Sequence, residues 1–170
     1  MELSKGKKAL TNKWIFRLKQ DQHTFAPRYK ARLVVTGFGQ RKGIDFDEIF
    51  SLVVKMSSIR MVLALAASLD VEVEQMDVKT AFLHGDLEKK IYMEQPEGFV
   101  VNGKENHVSK LRKSLYGLKQ APRQWYLKSE YVIENYRYKK TSSDHCVFFH
   151  KFSDDDFIIL LLYVDDMLIV

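Results

Sequence analysis

Apolar and polar residues alternate along two stretches near the start of the chain, residues 12–19 (NKWIFRLK) and 28–35 (RYKARLVV). Alternation with a period of two is typical of a β-strand whose two faces meet different surroundings. In the first stretch Trp14, Phe16 and Leu18 share one face, and basic residues occupy much of the other. Because the residues between the two stretches, DQHTFAP, favour turns, we predict a basic β-hairpin.

Two longer stretches have the composition of α-helices. Residues 57–69 (SSIRMVLALAASL) are apolar nearly all round, so we expect a helix that is buried on more than one side. Ser57 or Ser58 would begin it, because a serine hydroxyl can accept a hydrogen bond from a free backbone N–H. Residues 121–135 (APRQWYLKSEYVIEN) predict a second helix, with Pro122 in the first turn, where the missing N–H is harmless.

Five further stretches are short and predict strands, the first of them by its alternating pattern. They comprise residues 71–78, 91–94, 108–112, 146–152 and 157–164. The order along the chain is therefore hairpin, helix, strands, helix, hairpin. This order indicates an α+β fold, with a mostly antiparallel sheet and helices packed on one face of it.

Two adjacent acids interrupt the most apolar run, FIILLLYVDDMLIV at residues 157–170. A buried carboxylate is costly unless it is paired or binds a cation, so we expect Asp165 and Asp166 at a two-residue turn that opens on a cleft. A plain β-turn is the alternative, because Asp is common in turns. Asp77 favours the first interpretation, since it lies near the end of the predicted strand 71–78 and supplies a third carboxylate.

Three carboxylates at two strand ends of one sheet could hold two divalent ions about 4 Å apart, the arrangement that nucleotidyl transfer requires. One ion would lower the pKa of an attacking 3′-hydroxyl. The other would neutralise a triphosphate and stabilise the leaving pyrophosphate. Oxygen ligands favour Mg²⁺, for which Mn²⁺ can substitute.

The composition of the chain limits the kinds of protein to which it can belong. The chain carries 27 Lys and Arg against 22 Asp and Glu, a net charge of +5, which suits an anionic partner but is also ordinary for a protein surface. The single cysteine, Cys146, excludes a disulfide framework within the chain and is expected to be a buried apolar residue. The first ten residues are polar and basic, without the features of a signal peptide, and no apolar run is long enough to span a bilayer. We therefore expect a soluble intracellular protein.

Four motifs together resemble the reverse transcriptase of copia-type LTR retrotransposons. They are DVKTAFLHGDL (77–87), IYMEQPEGF (91–99), KLRKSLYGLKQAPRQWY (110–126) and LLLYVDDMLIV (160–170). The upstream stretches YKARLV and GIDFDEIFS agree with the same family, so the resemblance runs from Glu2 to Val170.

The resemblance implies a polymerase palm with part of the fingers. Residues 1–55 would be partial fingers and residues 56–170 mainly palm, with the thumb, connection and RNase H regions absent from this chain. Asp77, Asp165 and Asp166 would be the catalytic, metal-binding acids, joined by the backbone carbonyl of Val78 as a further metal ligand.

The resemblance also implies nucleotide and primer contacts. The ring of Phe82 would lie under the incoming sugar and exclude a 2′-hydroxyl by steric clash, although a core Phe is the alternative. Lys30 and Arg32 would contact the triphosphate, or else form a solvated strand face. The nucleotide and template pocket would include Tyr116, Gly117 and Gln120. Tyr163 and Met167 would lie near the primer and template, with a core position as the alternative for Tyr163.

The chain departs from the family pattern at two positions. Leu52 replaces the expected proline in SLVV, and Arg137 stands where the family usually has glycine in the turn after the second helix. If that turn needs a positive φ, Arg137 costs about 1 kcal/mol or more.

The implied function is that of an RNA-directed DNA polymerase, which adds dNTPs to a primer 3′-hydroxyl on an RNA or DNA template. The expected location is a cytoplasmic virus-like particle, with the nucleus as alternative, and no membrane partner. A second interpretation is a truncated, inactive remnant that binds nucleic acid weakly through its basic hairpin.

A third interpretation is an unrelated α+β module that binds metal or RNA. Modules that bind single strands use exposed aromatic rings on a sheet, and we expect the aromatic residues here to be mainly buried, which argues against this interpretation. The acidic turn SDDD at 153–156 is expected to be solvated and not a metal site.

Overall fold

The computed structural model describes residues 1–3, 6–20, 26–153 and 156–170. The predicted hairpin turn at 21–25, and Asp154 and Asp155 of the acidic turn, lie outside these residues. The helices are α1 (Met56–Leu69) and α2 (Ala121–Asn135). The strands are β1 (Asn12–Gln20), β2 (Pro27–Val35), β3 (Glu74–Asp77), β4 (Tyr92–Glu94), β5 (Val108–Lys110), β6 (Lys139–Lys140), β7 (Val147–Lys151), β8 (Phe157–Tyr163) and β9 (Asp166–Ile169).

The chain forms two compact units. Unit 1 contains Met1–Ile49 and Asp86–Ala121, and unit 2 contains Phe50–Gly85 and Pro122–Val170. Residues 86–121 therefore group with the first part of the chain, whereas the resemblance assigns them mainly to the palm. The assignment of residues 1–55 to fingers and 56–170 to palm stays a prediction.

Unit 1 is built on two antiparallel strand pairs, β1 with β2 and β4 with β5. A close backbone contact joins the segment after β2 to the segment before α2. A side-chain carbon added at Gly37 would lie 1.9 Å from the Gly117 carbonyl oxygen, and one added at Gly117 would lie 2.0 Å from the Val35 carbonyl oxygen. Gly117 also has a φ of +90°, which L-residues rarely adopt. Glycine is therefore required at both positions for backbone reasons.

Unit 2 is a five-stranded antiparallel sheet with two helices packed against it. The strand order is β3-β9-β8-β7-β6, so the strand ending in Asp77 is an edge strand and β9 lies inside the sheet. The core comprises Val54, Val62, Tyr126, Ile133, Cys146, Val147, Phe148, Leu160, Leu161 and Leu162. Both helices contribute to this core. The predicted α+β class with antiparallel pairing is confirmed.

Cys146 lies in this core and is fully buried, as predicted. Burial, with the nearby Asp144 charge, raises the pKa of its thiol to about 12. The thiol therefore remains protonated and unreactive at neutral pH.

The start of α1 differs from the prediction. Neither Ser57 nor Ser58 caps the helix, and the residue at the cap position, Lys55, makes no side-chain capping bond. Instead Asp144 accepts hydrogen bonds at one carboxylate oxygen from the Lys55 N–H, at 2.8 Å, and from the Ser58 hydroxyl, at 2.6 Å. A carboxylate that is distant in sequence therefore holds the start of α1 through charge-assisted hydrogen bonds, which are stronger than neutral ones.

The burial predicted for α1 is also wrong. Only Val62 and Ala66 of this helix are buried, and Met61 is 68% exposed. In the described part of the chain, other elements cover only one side of α1. An apolar sequence shows that a helix can be buried, but it does not show on how many sides neighbouring elements pack.

Candidate active site

The first two acids of the site are brought together by the pairing of β3 with β9. Asp77 is the last residue of β3 and is the direct antiparallel partner of Asp166, the first residue of β9. Direct partners on neighbouring strands have side-chain carbons about 4.5–5.5 Å apart on the same face. The two carboxyl groups therefore lie within the reach of one bound cation.

The third acid lies in the turn that joins β8 to β9. Tyr163 pairs with Asp166, so the two central residues of the turn are Val164 and Asp165. The sequence placed the acid pair itself in the turn, which is wrong by one residue for Asp166. Val164 has a φ of 58°, the sign normally supplied by glycine at the first central position of a tight hairpin turn.

Two hydrogen bonds hold the carbonyl groups of this turn. The Val78 N–H donates to the Asp165 carbonyl oxygen at 2.8 Å, which connects the turn to the residue after Asp77. The indole N–H of Trp125, in α2, donates to the Val164 carbonyl oxygen. A left-handed conformation at a branched residue costs about 1–2 kcal/mol, and such a conformation persists only where surrounding contacts determine it.

The donor chemistry of the site fits a hard divalent cation. Asp77 and Asp165 are exposed and Asp166 is half-buried, so all three carboxylates can meet a ligand from solvent. Gln75 donates to Asp166 Oδ1 at 3.4 Å. Among the described residues, however, no three His, Cys, Asp or Glu side chains converge as a ready-made metal site. Carboxylates repel one another in the absence of a cation, and the closely placed pair is Asp77 with Asp166.

Three further predicted site residues also lie in unit 2. Phe82 is half-buried in a short 3-10 helix, Ala81–His84, that follows β3. Tyr163 is 47% exposed next to the turn, so the alternative of a core tyrosine is wrong.

Met167 lines an apolar cavity of about 260 Å³ together with Val78 and Trp125. It alternates with Asp166 along β9, so its side chain lies on the other face of the sheet.

The predicted nucleotide-contacting residues of unit 1 form a second group. Arg32 is exposed on β2, and its guanidinium carbon lies 5.8 Å from the centre of the Tyr116 ring. Lys30 shares the strand face of Arg32 and is the cross-strand partner of Arg17. The structure therefore brings Arg32 and Tyr116 together within unit 1. The three acids belong to unit 2.

Gln120 belongs to a buried network that the sequence did not reveal. Its side-chain oxygen accepts from Gln40 Nε2 at 2.9 Å, and its own Nε2 donates to the Asp45 carbonyl oxygen at 3.2 Å. Gln40 also accepts from the Lys119 N–H at 2.8 Å. Both glutamines are buried, so these amides hold the backbone of unit 1. Gln40 lies in the glycine-containing stretch at residues 37–48, for which the sequence predicts no helix or strand.

Comparison with known proteins shows the family of the chain. Residues 1–170 match the family model described as reverse transcriptase (RNA-dependent DNA polymerase). The chain belongs to this reverse transcriptase family. It is 69% identical over 170 residues to the retrovirus-related Pol polyprotein from transposon TNT 1-94 of Nicotiana tabacum. It is 43% identical over 157 residues to those from transposons RE1 and RE2 of Arabidopsis thaliana. The copia-type resemblance is thus confirmed.

The chain is much shorter than these relatives. The matched region is 100% of this chain and 13% of the tobacco polyprotein, and it is 92% of this chain and 11% of each Arabidopsis polyprotein. No solved structure matches the chain. In the described part of the chain, neither helix has the length and apolar character needed to cross a membrane.

Proposed function

We propose that this chain is the part of an RNA-directed DNA polymerase that carries the catalytic acids and transfers a nucleotide from a dNTP to a primer 3′-hydroxyl. The observation that carries the proposal is the direct pairing of Asp77 with Asp166, with Asp165 in the adjoining turn. Reverse transcriptases use divalent metal ions, and these carboxylates supply the oxygen donors that Mg²⁺ and Mn²⁺ prefer.

Asp77, Asp165 and Asp166 would hold two such ions, with the Val78 carbonyl as a further ligand. Bound there, the ions would activate the 3′-hydroxyl and stabilise the pyrophosphate leaving group. The chain itself supplies rigidity, since Asp77 and Asp166 are fixed by strand pairing and Asp165 by hydrogen bonds to its turn. Short side chains on a paired strand keep ligand positions within the narrow limits that such chemistry needs.

The surrounding residues would select and orient the substrates. Phe82 would exclude ribonucleotides by contact with the sugar, and Tyr163 and Met167 would lie near the primer and template. Lys30 and Arg32 would bind the triphosphate, while Tyr116, Gly117 and Gln120 would shape the nucleotide and template pocket. RNA or DNA template, primer and dNTPs are the proposed partners, in a cytoplasmic virus-like particle or the nucleus.

Primer extension on an RNA template tests this function. The parent chain, Asp165→Asn and the control Glu74→Gln would be compared with dNTPs and Mg²⁺ or Mn²⁺. Glu74 is an exposed carboxylate at the other end of β3, so its removal changes the charge by the same amount and leaves the acid pair intact. We expect extension by the parent and by Glu74→Gln, and a loss of at least about 100-fold in Asp165→Asn, the scale on which loss of a key electrostatic group lowers a rate.

A folded parent chain that extends no primer with either ion would contradict polymerase activity for this chain. The second candidate, a remnant that only binds nucleic acid, would then remain. It is favoured by the hairpin of β1 and β2, whose strands contain six Lys or Arg and no acid.

The aromatic residues of this hairpin also favour nucleic-acid binding. Phe16 is 73% exposed and Tyr29 is 81% exposed, so the expectation that the aromatic residues are mainly buried is wrong for this hairpin. Exposed rings beside cations can stack on bases of a single strand while the cations bind phosphates. The second candidate rests on this combination.

A further inference from the structure

The catalytic turn contains a conformation that its own sequence disfavours. Val164 has a φ of 58°, and a branched side chain rarely adopts this region. Asp165 is absent from the described non-glycine residues with positive φ, so the unusual angle falls on the residue immediately before this acid. Contacts from elsewhere in the chain must therefore keep the turn in this form.

Trp125 makes the contact that reaches Val164. The indole N–H donates to the Val164 carbonyl oxygen across 39 residues of sequence, and the side chain is only 8% exposed. A buried donor has no water to replace a lost partner, so the bond is expensive to break.

The position of Trp125 is itself determined by its neighbours. The Ser129 hydroxyl donates to the Trp125 carbonyl oxygen at 2.8 Å, and the indole packs against the His84 ring with 6.0 Å between the ring centres. The chain after Phe82 also approaches α2 closely. A side-chain carbon added at Gly85 would lie 2.8 Å from Gln124 Cβ and 3.0 Å from the backbone nitrogen of Trp125.

The turn thus has two external hydrogen bonds, one at each carbonyl. Trp125 binds the Val164 carbonyl, and the Val78 N–H binds the Asp165 carbonyl at 2.8 Å. Val78 follows Asp77 directly, so the second bond connects the turn to the strand that carries the first acid. Both bonds are therefore formed with the turn in the same conformation.

We propose that Trp125 is a positioning residue for the catalytic turn. Its indole N–H holds Val164 in the left-handed conformation, and this places Asp165 beside the end of β3. The inference rests on the proposed function for its consequence in metal binding and catalysis, but the effect of Trp125 on the turn is independent of it.

Amide hydrogen exchange and Mn²⁺ binding test the proposal in four chains: the parent, Trp125→Phe, Val164→Gly and the double variant. Phe keeps a six-membered aromatic ring but removes the N–H together with the five-membered ring of the indole, and the glycine substitution separates these two effects. Trp14→Phe is the matched control, because it removes an indole N–H that donates to the Glu97 carbonyl oxygen at 3.1 Å in unit 1. Exchange is followed at the Val78 N–H and at the Trp125 indole N–H, with ¹⁵N labelling.

We expect Trp125→Phe to accelerate exchange at Val78 by about tenfold, which is the effect of one lost hydrogen bond, and to weaken Mn²⁺ binding by at least about tenfold. Adding Val164→Gly to Trp125→Phe should restore the slow exchange at Val78 and the affinity for Mn²⁺, because glycine adopts a positive φ without a stabilising contact. Trp14→Phe should change neither. Restoration by glycine is the sign of positioning, since a packing defect at Trp125 would not be repaired by a change at Val164.

Unchanged exchange at Val78 in folded Trp125→Phe, or no restoration by glycine, would overturn the proposal. If Trp125→Phe does not fold, hydrogen exchange in the parent chain tests the proposal instead. The Trp125 indole N–H must then be protected from exchange, and it must exchange in the same opening event as the Val78 N–H. An unprotected indole N–H overturns the proposal. A parent chain that binds no Mn²⁺ would contradict the proposed function alone, because the exchange results stand without a metal.

Discussion

Arg137 is a single residue whose conformation opposes its side chain. It has a φ of 67° and follows the end of α2. Its N–H donates to the Glu134 carbonyl oxygen at 2.9 Å, and the next N–H, of Tyr138, donates to the Ile133 carbonyl oxygen at 3.4 Å. This is the hydrogen-bond pattern of a helix end that normally carries glycine at the left-handed position. The predicted cost at Arg137 depended on a positive φ in this turn, and the structure has that positive φ.

We predict that Arg137→Gly stabilises the chain by about 1 kcal/mol, because glycine removes the left-handed penalty although it adds freedom to the unfolded chain. Urea denaturation would measure the difference. Arg137→Ala is the control, since it removes the same charge and keeps the side-chain carbon that causes the penalty. A gain in the alanine variant as large as in the glycine variant would mean that charge, not backbone conformation, is responsible.

Individual residues were predictable where their chemistry was visible in the chain. Asp165 and Asp166 stand out because acids in an apolar run are costly unless they are paired or bind a cation, and Asp77 stands out because it lies near the end of a predicted strand. Trp125 did not stand out, because its partner is a backbone carbonyl 39 residues away and a tryptophan on the apolar face of a helix resembles an ordinary core residue. Asp144 was missed because two of its donors, the Lys55 N–H and the Ser58 hydroxyl, lie 89 and 86 residues away in the sequence.

At the scale of elements, Asp144 connects the start of α1 to the loop before β7. Besides the bonds from Lys55 and Ser58, it accepts from the Cys146 N–H at 3.0 Å. Burial opposes its charge, but the hydrogen bonds from Ser58, Lys55 and Cys146 outweigh burial and hold the pKa of Asp144 below its usual value. The charged form therefore stabilises the folded chain.

Asp144→Ala should destabilise the chain by about 2–3 kcal/mol at pH 7, because three donors lose a charged acceptor. The pKa of Asp144 is lowered on folding, so this stabilisation is complete above the unfolded pKa of about 3.9 and is lost as pH falls through the folded value. Chemical denaturation of parent and variant between pH 3 and 7 would check it. A difference between the two chains that stays constant down to the most acidic pH would contradict a role for the carboxylate charge.

Elements with strong local patterns were predictable, and those that depend on partners were not. The bounds of α2 agree with the sequence, because Pro122 and the apolar spacing are both local signals. The predicted strand 71–78 forms only as Glu74–Asp77, since its length is set by the four residues of β9 that pair with it. The two-residue strand β6 had no signal of its own and exists through pairing with β7.

On the scale of the whole molecule, positive charge is concentrated on one element. The net charge is +5, and the hairpin strands contribute six cations without an acid. Binding to a nucleic acid releases counterions for each phosphate contact, and the affinity then falls with salt.

We predict that Lys19→Ala together with Arg28→Ala lowers the salt dependence of single-stranded RNA binding by about 1.4 in the slope of log K against log salt, roughly 0.7 for each lost contact. The two residues are exposed cross-strand partners. Fluorescence anisotropy at several salt concentrations measures the slope. Arg60→Ala, on exposed α1 in unit 2, is the control, and a change in slope of about 0.7 there, equal to the effect of each hairpin residue, would show that the hairpin has no special part in binding.

Because Asp77 lies on an edge strand, the stability of the acid pair differs from the stability of the folded chain as a whole. β3 is four residues long, is exposed throughout and pairs on one side only, whereas Asp166 belongs to a strand with neighbours on both sides. Short exposed edges open at lower free-energy cost than the core they border. The acid pair can therefore come apart in molecules that are otherwise folded, so that heat or denaturant would disrupt the proposed metal site before it unfolds the protein.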